Sequence, residues 1–132
     1  MNLIDTNVIL RYLVGDGDNV SEINRLFKRL KKKEESVECL HIVLFQVIFV
    51  MQSFYKVDRS KIINIISSLL MIPGFYIKNK SVYLLMFDFW LIIGGDIIDA
   101  FLVAVSESEN DRKIYSLDKG LDRITKNRIL SL

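Results

Sequence analysis

The first seven residues set the strongest constraint on the fold. The apolar stretch of residues 1–4 is followed directly by the small polar residues Asp5, Thr6 and Asn7, and residues 8–13 then place apolar side chains at helical spacing. This pattern predicts a short strand that runs straight into a helix. We expect Thr6 or Asn7 to cap the first helical turn by accepting a bond from a free backbone N–H group. Asp5 would then lie at the carboxyl end of the strand, where open α/β sheets bind their ligands.

The length and the apolar content of the chain limit the structural classes to which it can belong. A chain of 132 residues is long enough to bury one core, and we expect a single domain over residues 1–132. The composition is 51% hydrophobic, but Gln46 and Asp88 interrupt the longest apolar runs, 42–51 and 82–93. Both runs fall short of the ~20 residues that a membrane-spanning helix needs. The apolar excess therefore predicts a deep core, an oligomer interface, or both.

The net charge and the cysteine content of the chain limit the cellular location and the kinds of partner that we expect. A secretory signal peptide is not expected, because Asp5 lies where its basic and apolar regions would be. Cys39 is the only cysteine, so no internal disulfide can form and a reducing cytoplasm fits the chain. The net charge of +2 is too small to indicate nucleic-acid binding by itself. The basic residues within 28–33 either complement a helix dipole or follow a phosphate backbone, and the lack of aromatic residues among them favours the first role.

Helical and extended patterns alternate along the rest of the chain. Strands that alternate with helices predict a mostly parallel sheet covered by helices on both faces. We expect Asn19 and Glu22 to form a capping arrangement at the start of the second helix. Helices are predicted over residues 20–33, 42–55, 58–72, 81–93 and 96–109, and strands over 36–40, 113–117 and 128–130, with 75–77 as a minor strand or an extended linker.

Acidic residues recur at the ends of strands and at the starts of helices. Asp5 and Asp118 each end an apolar strand, and Asp99 lies in a first helical turn, where the dipole favours an anion. Asp96 lies three residues before Asp99, on the same face if the helix includes it. Because strand ends and helix starts share one edge of a parallel sheet, we expect these carboxylates to converge. The structural alternative makes Asp99 only a dipole partner, Asp96 only an N-cap, and Asp118 only a turn residue before Gly120.

Converging carboxylates predict a cation site. Carboxylates a few ångströms apart repel one another unless a cation lies among them. Oxygen ligands without Cys or His suit a hard ion, Mg²⁺ or Mn²⁺. Such an ion with open positions can bind a phosphodiester and activate water for in-line attack. A phosphoacceptor receiver domain also clusters acids on an α/β sheet, but it carries an acidic pair after an early strand, which this chain lacks.

Three motifs occur in a fixed order: Leu3-Ile4-Asp5-Thr6-Asn7 with Leu10-Arg11-Tyr12-Leu13, then Asp96-Ile97-Ile98-Asp99-Ala100-Phe101, then Ser116-Leu117-Asp118-Lys119-Gly120-Leu121. Together they make the chain resemble a PIN-domain protein of the VapC-like toxin branch, over nearly its whole length. The resemblance implies a PIN-like three-layer α/β/α fold with a central, mostly parallel sheet. It also implies that Asp5, Asp99 and Asp118 are metal-binding catalytic acids, with Asp96 as an auxiliary acid and Thr6 and Asn7 as supporting polar residues.

The same resemblance implies an activity and partners. A VapC-like protein is expected to be a Mg²⁺- or Mn²⁺-dependent endoribonuclease that cleaves RNA in the cytoplasm. It would form a homodimer and would be neutralised by a small antitoxin protein whose tail covers the acidic pocket. No membrane association is expected.

Gln46 departs from the family pattern, which has a glutamate at this position. An amide can ligate a metal through its carbonyl oxygen, but it cannot carry a negative charge or take up a proton. It therefore predicts weaker ion binding and the loss of a possible base for the attacking water, a group typically worth ~10²–10⁴-fold in rate. Gln46 is either the natural residue of a weakened nuclease or a deliberate change of glutamate that lets a toxic ribonuclease be expressed. It also motivates an alternative function, an inactive PIN-like domain that binds RNA or a protein without turnover.

The surroundings of Gln46 are predicted from its helix. We expect Ile42, Phe45, Phe49 and Val50 to share one broad apolar face of that helix, with Gln46 buried among apolar residues. A buried amide needs hydrogen-bond partners, which the acidic edge would supply. The alternative is that Gln46 only caps a buried backbone group and lies away from the site.

Overall fold

The computed structural model describes residues 1–130. Six α-helices, one 3₁₀-helix and five two-residue strands lie within this range, and every strand pair there is parallel. The backbone contacts divide the chain into two compact units, Met1–Lys78 and the part that begins at Asn79. No helix in the described range is long and apolar enough to cross a membrane.

The first unit is a three-stranded parallel sheet with four helices. The strands follow the order β1-β2-β3, with Asn2 opposite Val37 and Val37 opposite Phe75. The predicted alternation of strands and helices is confirmed, and the segment at 75–77 is a strand. The elements are β1 (Asn2–Leu3), α1 (Thr6–Val14), α2 (Val20–Lys31), β2 (Val37–Glu38), α3 (His41–Ser53), α4 (Arg59–Leu70) and β3 (Phe75–Tyr76).

The core of the first unit is built from one apolar face of each helix. The ring of Tyr12 on α1 stacks on Phe27 of α2 with 3.7 Å between ring centroids. Lys31 lies 5.5 Å from the Tyr12 centroid, so one cation of the basic stretch packs on this pair. The buried helix residues are Ile9, Leu10, Phe27, Leu30, Leu44, Val47, Ile48, Met51, Ile62, Ile66, Leu69 and Leu70.

The apolar face predicted for α3 is not the face that the helix buries. Ile42 and Phe49, which were expected to belong to the predicted face, are 76% and 66% exposed. The helix buries Leu44, Val47, Ile48 and Met51 instead. Apolar residues occur all round α3, so the 3.6-residue period gives no contrast from which its inner face can be chosen.

The predicted cap of α2 is also wrong. Asn19 has a left-handed backbone (φ 65°) and its side chain makes no capping bond. An N-cap normally has extended backbone angles, and an amide in the left-handed region is displaced from the first-turn N–H groups. Asp58 does lie at the predicted N-cap position of α4, with extended angles, but without a side-chain capping bond.

The second unit packs two helices beside a two-stranded parallel sheet. Tyr83 of α5 and Phe101 of α6 lie 5.8 Å apart between ring centroids. Three aromatic residues of α5, Tyr83, Phe87 and Trp90, are buried in the core of this unit. The elements are α5 (Lys80–Ile93), α6 (Ile97–Ser108), β4 (Ile114–Tyr115), a 3₁₀-helix (Lys119–Arg123) and β5 (Arg128–Ile129), with β4 paired to β5.

The strand predicted over 113–117 is shorter and less buried than expected. Only Ile114 and Tyr115 form β4, and Tyr115 and Leu117 are 72% and 73% exposed. A strand with one buried face alternates its side chains between core and solvent, and here Ile114 is the inward residue.

A buried polar network joins α6 to the start of β5. The Nδ2 amide of Asn127 donates to Ser106 Oγ at 3.0 Å and to Asp111 Oδ1 at 3.3 Å, and Asn127 N donates to Thr125 Oγ1 at 3.1 Å. The Ser106 hydroxyl donates in turn to the backbone carbonyl of Arg112. Because buried polar groups need partners, these bonds compensate for the desolvation of Ser106, Thr125 and Asn127.

Gly74 lies at a close approach of two backbones before β3. Its N–H donates to Leu30 O at 2.9 Å, and its carbonyl accepts from Val37 N at 2.8 Å. A Cβ at this position would lie 2.8 Å from Leu30 O and 2.9 Å from Leu30 Cα, and closer still to Glu35 O. These neighbours are backbone atoms, so a side chain here would displace the end of α2.

We expect Gly74→Ala to lower the free energy of unfolding by ~1–3 kcal/mol or more, the usual cost of overpacking. Urea unfolding followed by circular dichroism measures the change. Gly95→Ala is the matched control, because a Cβ at Gly95 meets no atom within 4 Å. An unchanged midpoint for Gly74→Ala would show that the backbones do not approach this closely.

Candidate active site

Asp5 caps the helix that follows the first strand. Its Oδ1 accepts a hydrogen bond from Val8 N at 3.0 Å, and α1 begins at the next residue, Thr6. The prediction that Thr6 or Asn7 forms the cap is therefore wrong. Asp5 keeps extended backbone angles (φ −102°, ψ 170°), as an N-cap requires, while Thr6 and Asn7 already lie inside the helix. The cap fixes one oxygen of the exposed Asp5 carboxylate and leaves the second outside the cap.

Gln46 on α3 is tied to the start of α1. The Thr6 hydroxyl donates to Gln46 Oε1 at 2.9 Å, a contact between residues 40 positions apart. Gln46 is exposed, so its expected burial is wrong, because it lies outside the α3 face that packs into the core. The expected partners were the residues of the acidic edge, and the observed partner is the hydroxyl of Thr6, the residue after Asp5.

A cavity of about 570 Å³ in the first unit joins these polar residues. Asp5, Thr6, Asn7 and Gln46 line its polar part. Gln46 and Asp5 therefore line the same cavity, and the role of Gln46 in catalysis stays a prediction. The remaining lining residues are Leu10, Val43, Val50, Phe54 and Tyr55.

Two acids of the second unit are also helix caps. Asp96 Oδ1 accepts from Ile98 N at 3.0 Å at the start of α6, and Asp118 Oδ1 accepts from Gly120 N at 2.8 Å at the start of the 3₁₀-helix. Asp96 thus precedes the helix that carries Asp99 in its first turn. Asp96 caps α6 and Asp118 caps the 3₁₀-helix, each through a single carboxylate oxygen.

Asp99 lies close enough to the other two acids of this unit to be affected by their charge. Its pKa is raised above its ordinary value, mainly by burial and then by the negative charges of Asp118 and Asp96. The first turn of a helix favours an anion, so burial and repulsion together outweigh the dipole here. We call Asp96, Asp99 and Asp118 the second-unit acids.

Arg128 holds the segment that carries Asp118. Its Nε and Nη2 donate to the two carboxylate oxygens of Asp122 at 2.7 and 2.8 Å, and its Nη1 donates to Ser116 O at 3.0 Å. Ser116 Oγ accepts from Asp118 N at 3.0 Å. Hydrogen bonding to Arg128 lowers the pKa of Asp122, and the same pair raises the pKa of Arg128. Sequence reasoning missed Arg128, because a separation of six residues gives no sign of pairing outside a helix.

The described residues were also compared with the requirements of a metal site built from side chains alone and of a cysteine nucleophile. Among residues 1–130, which the structure describes, no three carboxylate, imidazole or thiol side chains lie close enough together to hold a metal ion. The Cys39 thiol is buried, and burial raises its pKa to about 12, so it stays protonated and is a poor nucleophile.

Comparison with known protein families identifies the family to which the chain belongs. The family model for the PIN domain matches residues 3–127. The chain belongs to the PIN domain family. This confirms the family resemblance and the PIN-like three-layer α/β/α fold class inferred from the three motifs.

This PIN domain is also similar to one protein with an assigned name. It is 29% identical over 80 residues to a VapC ribonuclease from Aquifex aeolicus (strain VF5). The aligned segment covers 61% of this chain and 59% of that protein, so the match spans less than two thirds of the relative. The catalytic and metal-binding roles of Asp5, Gln46, Asp96, Asp99 and Asp118, and the supporting roles of Thr6 and Asn7, stay predictions.

We expect Asp99→Asn to stabilise the PIN domain at neutral pH. The folded pKa of Asp99 lies above its ordinary value of 3.8, so ionisation costs more in the folded than in the unfolded state. The extra free-energy cost of ionising Asp99 in the folded state is fully present at pH values above the folded-state pKa. It is absent at pH values below the unfolded-state pKa. The gain at neutral pH should be below ~1 kcal/mol, because solvent screens a partly exposed group.

Urea unfolding of both proteins at neutral pH and near pH 3 measures this effect. The stabilisation should disappear in acid, where Asp99 is protonated in both states. Asp88→Asn removes the charge of an exposed aspartate on α5 and is the control. A variant that is destabilised at neutral pH would contradict the inferred crowding of the second-unit acids.

Proposed function

We propose that this PIN domain is a metal-dependent endoribonuclease of the toxin–antitoxin type, weakened by Gln46. The observation that carries the proposal is the raised pKa of Asp99, caused first by burial and then by the negative charges of Asp118 and Asp96, within the range that the PIN family model matches. Crowded carboxylates are unfavourable in a domain that only needs to fold, and a bound cation removes the cost. The VapC ribonuclease relative supports RNA as the substrate class.

The donor chemistry of the proposed site fits Mg²⁺ or Mn²⁺. We propose that Asp5, Asp99 and Asp118 hold the ion, with Asp96 as an auxiliary ligand, because oxygen-only donor sets favour hard cations. When bound, such an ion supplies positive charge that stabilises the transition state of phosphodiester hydrolysis. The caps formed by Asp5, Asp96 and Asp118 support this assignment, since they fix each carboxylate through one oxygen.

The polar residues of the first unit position the substrate and the water. The Thr6 hydroxyl orients the side chain at position 46, and the Asn7 amide can donate to a phosphate oxygen from the same cavity. Gln46 can donate a hydrogen bond to a phosphate oxygen or align the attacking water, but it cannot remove a proton from it. Cleavage would leave a 3′-hydroxyl and a 5′-phosphate, by analogy with the family.

We further propose a cytoplasmic homodimer that is neutralised by a cognate antitoxin. Exposed large apolar residues support a protein partner: Ile42 and Phe49 on α3 are 76% and 66% exposed, and Leu91 and Ile92 on α5 are 54% and 57% exposed. Clusters of such residues are typical of interaction surfaces. Sedimentation at high protein concentration tests the homodimer, and a strictly monomeric profile would contradict it.

An inactive RNA- or protein-binding module is the second candidate function. The amide at position 46 favours it, because it lacks the charge and the basicity of the family glutamate. Calorimetric titration with Mn²⁺ separates the two candidates. Binding that disappears in Asp99→Asn supports the nuclease, whereas the absence of Mn²⁺ binding supports the module.

We expect Gln46→Glu to raise the rate of RNA cleavage in Mg²⁺ or Mn²⁺ by ~10²–10⁴-fold, the usual contribution of a positioned base. A glutamate keeps the oxygen that accepts from Thr6, so the local geometry is retained. Cleavage of a labelled RNA, with and without metal, measures the rate. Adding Asp5→Asn to the Gln46→Glu protein should abolish the cleavage.

Gln52→Glu is the matched control, because Gln52 is another exposed glutamine on α3 and receives the same added charge. Circular dichroism confirms that each variant is folded. The enzyme proposal is overturned if Gln46→Glu gives no metal-dependent cleavage, or if Asp5→Asn leaves that cleavage unchanged.

A further inference from the structure

Two exposed aromatic residues follow α3 and line the cavity that contains Asp5 and Gln46. Phe54 is 75% exposed and Tyr55 is 43% exposed. Their rings meet edge to face, with 4.9 Å between centroids and 83° between planes. Large aromatic surfaces left in solvent are unfavourable, and a pair of them beside a polar cavity is typical of a binding surface.

The backbone of this aromatic pair is fixed by the end of α3. Phe54 N and Tyr55 N both donate to Val50 O, at 2.9 and 3.2 Å, and Val57 N donates to Met51 O at 3.0 Å. These bonds close the last turn of the helix. The backbone of both aromatic residues is therefore fixed before any ligand binds, which lowers the part of the entropy cost of binding that comes from ordering the main chain.

A second cavity continues from the same surface. It measures about 370 Å³ and shares Leu10 and Tyr55 with the first cavity, and Lys56 and Lys61 line it. The charged residues of this second cavity are Lys56, Lys61 and Asp58, so its lining carries a net positive charge next to the aromatic pair. Lysines next to aromatic residues favour a polyanion with planar groups over a basic peptide tail.

We propose that Phe54 and Tyr55 form a base-binding subsite for single-stranded RNA, with Lys56 and Lys61 contacting the phosphates of the same strand. A base can stack on an exposed ring only when it is unpaired, since a paired base lies within its own helix. The subsite rests on the proposed function, because its use in cleavage requires that Asp5 belongs to the catalytic site. It assigns base stacking and phosphate contacts to named side chains of this chain.

Binding of a short single-stranded RNA that contains 2-aminopurine tests the subsite directly. The native chain is used without metal, so that no cleavage occurs, and fluorescence quenching reports stacking. Phe54→Leu should raise the Kd by about 5- to 100-fold and reduce the quenching, given the usual strength of base–aromatic stacking. Tyr55→Phe keeps the ring and should bind nearly as the native chain does.

Tyr76→Leu is the matched control, because Tyr76 is 46% exposed in the same unit but is not among the residues of either cavity. It should leave the Kd unchanged. The same RNA annealed to its complement should bind more weakly than the single strand. Equal Kd values for the native chain and Phe54→Leu, or equal binding of single and double strands, would overturn the subsite.

The test also separates this subsite from the proposed nuclease and from a protein interface. If Gln46→Glu shows no cleavage while Phe54→Leu still weakens RNA binding, the subsite stands and the nuclease proposal fails. If Gln46→Glu cleaves RNA and Phe54→Leu has no effect on binding or cleavage, the subsite fails alone. If Phe54→Leu changes only self-association in sedimentation, the surface is a protein interface and the subsite is overturned.

Discussion

The bond between a carboxylate and the N–H groups of a helix start is the interaction on which the candidate site depends. Asp5, Asp96 and Asp118 each use one oxygen to cap the helix that follows. The cap satisfies a backbone donor that would otherwise lack a partner. It also holds the second carboxylate oxygen at the start of a helix, where the dipole favours negative charge. The same three aspartates therefore start the helices and place their own carboxylates at the helix starts.

The order of strands and helices could be predicted from the sequence because it depends on local patterns. Apolar runs, small polar residues before helices and the single Pro-Gly pair marked most boundaries to within a few residues. The inner face of α3 could not be predicted in this way. Its apolar residues surround the helix, and tertiary packing alone selects Leu44 and Val47 over Ile42 and Phe49. The cap of α1 was misplaced by one residue because Asp, Thr and Asn are all good caps.

The acids of the candidate site could be located from motif spacing, but the groups that support them could not. Arg128 reaches Asp122 and the segment of Asp118 across a turn, and this contact has no counterpart in sequence spacing. The pairing of Phe54 with Tyr55 at the cavity depends on how the chain leaves α3. The Asn127–Ser106 bond joins residues 21 positions apart. Each of these contacts forms between segments that meet only in the folded chain.

The hydrogen bond from Thr6 to position 46 has an evolutionary consequence. Its acceptor is an oxygen that glutamine and glutamate share in nearly the same place, so local packing does not discriminate between the two residues. Their codons differ by one base, as in CAA and GAA. A gene of this kind can therefore exchange the amide for the acid in one mutational step while the encoded chain keeps its shape. Selection at this position acts on chemistry alone.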